Sequence, residues 1–85
     1  MTTLTDAVTH LERGDWDAAH RLVQDDESPL ACWAHAIVHM MEGDLDNAGY
    51  WYRRAGRPMP ELGADPARAL PEAIAAEIAA LRSRT

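Results

Sequence analysis

Apolar residues recur along this chain at helical spacing, and no stretch shows the alternation of a strand. Leu4, Ala7, Val8 and Leu11 predict a first helix, with Thr5 or Asp6 near its start as caps and Gly14 as its stop. Trp16, Ala19, Leu22 and Val23 predict a second from about Asp15, flanked by His20 and ending by Gln24. Beyond it, Asp25-Asp26-Glu27 would oppose the helix dipole. Ser28 is a good N-cap and Pro29 suits the first position of a third helix, which Gly43 ends. In that helix Leu30, Ala31, Cys32, Trp33, Ala34, Ala36, Ile37, Val38, Met40 and Met41 cover most of the circumference. A helix apolar nearly all round is buried, which makes this the central one. Asp44 or Asp46 caps a fourth helix, on which Leu45, Ala48, Trp51, Tyr52 and Ala55 share a face. Asp46, Gly49, Tyr50 and Arg53 point away from it. The segment Gly56–Pro66, with three prolines and two glycines, reads as an irregular connection. Asp65-Pro66 opens a short turn and Pro71 marks the start of a last helix, striped by Leu70, Ala73, Ile74, Ile78 and Leu81. This helix is expected to pack over the open end of the other four. The expected fold is all-α, with about five helices.

The pattern also repeats. Gly14-Asp15-Trp16-Asp17-Ala18-Ala19 and Gly43-Asp44-Leu45-Asp46-Asn47-Ala48 are related by an offset of 29 residues, which also aligns Ala7 with Ala36 and His10 with His39. With its G-D-x-D-x-A turn and with Ala36, Ala48, Tyr52, Ala55 and Pro60 at signature positions, the chain resembles the tetratricopeptide repeat. The resemblance implies two antiparallel hairpins, about 4–27 and 29–60, closed by a capping helix at about 71–83, in one domain. It also implies a protein-interaction role. The first unit is short, and Cys32, His35 and His39 stand where that family carries large packing residues. Two units fall below the ~3 that an independent solenoid needs, so pairing with a second copy is expected to complete the core. More narrowly, H-A-x-x-H-x-x-E-G-D-x-x-N-A-x-Y-W-Y-R-R-A-G-R-P is similar to small bacterial proteins, a likeness that implies no activity.

Composition narrows the role. Eighty-five residues make one small domain, and a formal charge of −6 argues against nucleic acid, whose phosphates need a basic face. The chain has no lysine, and the local cluster of Arg53, Arg54 and Arg57 is too small to reverse that argument. One cysteine excludes an internal disulfide framework, and no apolar run is long enough for a membrane span or a signal segment. A soluble cytoplasmic protein is expected.

Candidate chemistry centres on the third helix, where only His35, His39 and Glu42 interrupt the apolar surface, with Cys32 at the edge of their stripe. Two histidines at i and i+4 can approach one divalent ion such as zinc, with Glu42 or Cys32 as a ligand or outer partner. Further ligands would have to come from His10, His20 or a second copy. Residue 36 is Ala, so the H-E-x-x-H mechanism is unsupported. The structural alternative is a solvated polar stripe, or histidines hydrogen-bonded within helix packing. The same residues, with Tyr52 or Arg54, could serve acid–base catalysis, and Cys32 lies one turn from His35 as a nucleophile or as a small buried residue. No nucleophile elbow or phosphate loop accompanies them, so an enzyme is not favoured. Among the aromatics, Trp16, Trp51 and Tyr52 are expected in the core, while Tyr50 and Trp33 lie outward and with Met40 could mark a binding surface. Arg53, Arg54 and Arg57 either meet a partner's carboxylate or complement the helix C-terminus, the second being favoured. The leading expectation is a self-associating interaction module without a cofactor. The alternative is a metal- or ligand-binding protein centred on His35, His39 and Glu42.

Overall fold

The computed structural model describes residues 3–85. Its described part holds five helices: α1 (Thr3–Glu12), α2 (Trp16–Val23), α3 (Pro29–Glu42), α4 (Leu45–Ala55) and α5 (Pro66–Arg82). None is long and apolar enough to cross a membrane. The α1–α2 and α3–α4 pairs are hairpins built on the same turn. Gly14 and Gly43 take the left-handed conformation at φ 77° and 79°, which a side chain would resist. The following Asp15 and Asp44 N–H groups each donate 2.9 Å to a carbonyl, of His10 and His39 respectively. Each aspartate then caps the next helix, accepting from the N–H of Ala18 (3.3 Å) or Asn47 (3.4 Å). Ser28 does the same for α3, accepting from Ala31 N–H with Pro29 in the first turn. At the other end of the chain's pattern, α1 already runs at Thr3, so Thr5 and Asp6 lie inside its first turn and do not cap it.

The core is α3. Every residue from Ala31 to Val38 is buried, because α1, α2, α4 and α5 all pack on this helix. The all-round apolar pattern of α3 is therefore satisfied within one chain. The last helix packs on α1 and α3, burying Ile78 and Leu81. It also starts earlier than Pro71: Asp65 accepts from Arg68 N–H (3.3 Å) and Pro66 fills the first position, a complete start signal. Pro71 is exposed inside the helix, where the carbonyl its missing N–H leaves free can meet water.

Two aromatics sit opposite to expectation. Trp33 is fully buried, because α5 covers the flank of α3 left open by the hairpins. Glu77 of α5 supplies the acceptor a buried indole needs, with its Oε1 taking hydrogen bonds from Trp33 Nε1–H (3.0 Å) and Tyr52 O–H (2.7 Å). Burial and the Glu77 carboxylate hold the Tyr52 phenol well above its ordinary range. Arg57 lies over the Trp33 ring at 3.5 Å. Trp16, expected in the core, is 37% exposed, since it is the first residue of α2 and its neighbours cover only part of the ring. Arg82 ties the end of α5 back to α1 through both oxygens of Glu12 (3.1 and 2.7 Å) and the Thr9 hydroxyl (3.0 Å).

Candidate metal centre

His35 and His39, four residues apart, share one face of α3, and their rings stack with centroids 5.0 Å apart at 22°. The α3–α4 hairpin brings Trp51 against the other side, stacked on His35 at 3.8 Å and 12°. From α2, His20 meets both rings edge-on, at 4.7 Å from His35 and 5.8 Å from His39. One ring nitrogen from each of His20, His35 and His39 lies within 4.8 Å of the others.

This cluster is short of hydrogen bonds. Nδ1 of His35 and Nδ1 of His39 are buried without a hydrogen-bond partner, as is Nδ1 of His10 at the position equivalent to His39, so the orphan particular to this cluster is His35, an arrangement that folded proteins rarely tolerate without a ligand or a function. His35 is only 4% exposed. Burial first, and then the neighbouring His20 and His39, push its pKa down to about 4. At neutral pH the ring is uncharged, the state in which an imidazole nitrogen offers a lone pair to a metal. His39 is half-buried and its Nδ1 stands 3.7 Å from Glu42 Oε1.

A second group, His39, Glu42 and Asp44, also converges. Its histidine–aspartate part has a counterpart in the first hairpin, where His10 Nδ1 stands 3.6 Å from Asp15 Oδ2. That element recurs because the turn recurs. Asp44 is moreover engaged by Asn47, whose side-chain and backbone hydrogen bonds hold its carboxyl below the usual range. The three-histidine cluster has no such counterpart: at the repeat offset His35 pairs with Asp6, His20 with Gly49 and Trp51 with Leu22.

The structure thus joins His35 and His39 to His20 and leaves the exposed Glu42 at the rim, beside His39. Cys32 is buried away from ionisation: burial raises its pKa, and the thiol lies 3.7 Å from the Glu27 carbonyl. The arginine cluster is dispersed. Arg54 bonds Tyr50 Oη (3.2 Å) and Glu27 (3.0 Å), Arg57 covers Trp33, and Arg53 is exposed. Tyr50 is 44% exposed, as its position on α4 predicts. Met40, considered with the outward aromatics, is buried. Glu77 and the stacking role of Trp51 had no signal in the sequence, since each depends on a contact between helices. A shallow groove lined by Glu12, Ala75, Ile78 and Ala79 shares no residue with the histidines.

No known protein family, curated protein or solved structure matches the chain.

Proposed function

We propose that this protein binds one divalent late first-row transition-metal ion, zinc being the reference case, between α2 and α3. The observation that carries this reading is the convergence of His20, His35 and His39 within 4.8 Å, with a buried His35 nitrogen that has no partner in the fold. Imidazoles suit zinc, copper, nickel and cobalt, whereas magnesium and calcium require oxygen ligands. Zinc–nitrogen bonds of about 2.0–2.1 Å bring tetrahedral ligand nitrogens to roughly 3.3 Å, a modest inward movement from the spacing here. Glu42 beside His39 acts as the outer carboxylate that orients a metal-bound imidazole. Three protein ligands leave a fourth position for water or another small ligand.

Calorimetric titration of the purified chain with zinc tests this. One ion per chain with Kd at about micromolar or below is expected. His20→Ala and His39→Ala should each weaken binding at least tenfold while circular dichroism stays helical. Unchanged binding in both variants, or none in the wild type, would overturn the reading.

A second reading, a self-associating interaction module of tetratricopeptide type, draws on different residues. Among the described residues, Trp16 and Leu22 on α2 and Tyr50 on α4 are the exposed large hydrophobics, at 37%, 36% and 44%. A cytoplasmic location fits it, given the single free cysteine, Cys32. It predicts a dimer by light scattering that Trp16→Glu dissociates. A monomer at every concentration would end it.

A further inference from the structure

We infer that the bound metal is the polar tie between the two hairpins, so that the order of α2 depends on metal loading. This rests on the metal-binding reading and goes beyond it, because a three-histidine site need not control any part of the fold.

α2 is the shortest of the described helices and has no side-chain polar tie to another helix. It has eight residues, below the ~12–15 at which even favourable isolated helices become stable, so its order must come from packing. Yet it buries only Ala19 and Val23, while Trp16 and Leu22 are exposed. Its side-chain polar bonds are local: Arg21 pairs with Asp17, and Asp15 caps the first turn. Among the described residues, no side-chain hydrogen bond or ion pair joins positions 16–23 to another element.

The other helices are tied differently. Tyr52 of α4 reaches Glu77 of α5, and Trp33 of α3 reaches the same carboxylate. Arg82 of α5 grips Glu12 and Thr9 of α1. Residue 20 is where α2 meets α3 with a metal-ligating group, and His35 and His39 are the groups it meets. An ion bound there crosslinks α2 to the central helix and closes the short acidic connection Gln24–Ser28 into a constrained loop. Without the ion, α2 is held only by its packing on α1 and α3, with no side-chain polar tie to either helix, and it is the element whose opening the ion would oppose.

Hydrogen–deuterium exchange of the full chain, with and without zinc, tests the inference, with calorimetry on the same samples to report binding. Zinc is expected to slow exchange of the α2 amides at least tenfold and to leave those of α5 unchanged. His20→Ala should retain weakened zinc binding through His35 and His39 but lose the protection of α2. Zinc binding with unchanged α2 exchange would overturn the inference alone. So would equal protection in His20→Ala, or α2 amides already as slow as those of α3 before zinc is added. Absence of zinc binding in the wild type would remove both the inference and the reading beneath it.

Discussion

The two hairpins share a turn and little else. Around Gly14 and Gly43 the backbone is the same to within small differences, with φ of 77° and 79° and an Asp N–H to His carbonyl bond of 2.9 Å in both. Along the helices the equivalent residues diverge: Leu4 answers to Trp33, Thr5 to Ala34, Asp6 to His35 and Thr9 to Val38. The cause is position in the bundle. α1 keeps a solvent flank, whereas α3 is surrounded by the other four helices and can hold an uncharged, buried imidazole. What repeats, including the histidine before each turn, belongs to the hairpin. What does not repeat, His20, His35 and Trp51, joins the repeated His39 to make the site.

The sharpest way to break this comparison is to truncate equivalent positions. Trp33→Ala should cost about 3–5 kcal/mol, most of the stability of a small domain. Leu4→Ala, at a half-buried site, should cost about 1–2 kcal/mol. Urea denaturation midpoints measure both, and equal losses would mean that the hairpins are equally buried in solution. Next comes Glu77→Ala, which strands the Trp33 and Tyr52 donors inside the bundle and should cost about 2–3 kcal/mol by the same measurement.

Gly14→Ala and Gly43→Ala probe what the hairpins share. A Cβ at either position meets open space, so only the left-handed backbone resists it, at about 1–2 kcal/mol each. The two losses should agree within a few tenths, and a clear difference would show that the turns are not equivalent. The last effect is electrostatic and shows only as the pH changes. With the His35 pKa at about 4 in the folded chain, the unfolded chain takes up the proton first as pH falls. In the metal-free protein, the contribution of His35 is complete above about pH 6.5 and is lost as pH drops toward 4. Melting temperature against pH should show this slope, and His35→Phe, which keeps a ring against Trp51, should flatten it.

The local features were legible in the sequence. The helices, the Asp15 and Asp44 caps, the Ser28-Pro29 start and the paired Gly-Asp turns are written within a few residues of where they act. So was half the site, because His35 and His39 share a face at any i, i+4 spacing. The rest depended on how helices lie against one another. Trp33 could not be placed until α5 was known to pack on α1 and α3, nor could His20 be chosen over His10 until α2 was seen against α3. Glu42 belonged to the stripe on α3, but the convergence that matters crosses to another helix. Pro71 drew attention from the earlier Asp65-Pro66 signal because a proline inside a helix is costly, except where its lost bond faces water.

X-ray absorption spectroscopy of the zinc-loaded chain bears most directly on the central claim. Three imidazoles in the first shell, with one oxygen ligand at the open position, is the result expected from His20, His35 and His39, and His20→Ala should reduce the imidazole count by one. A shell of oxygen ligands, or an imidazole count that His20→Ala leaves unchanged, would contradict the account and place any bound ion elsewhere, with His39, Glu42 and Asp44 the first residues to consider.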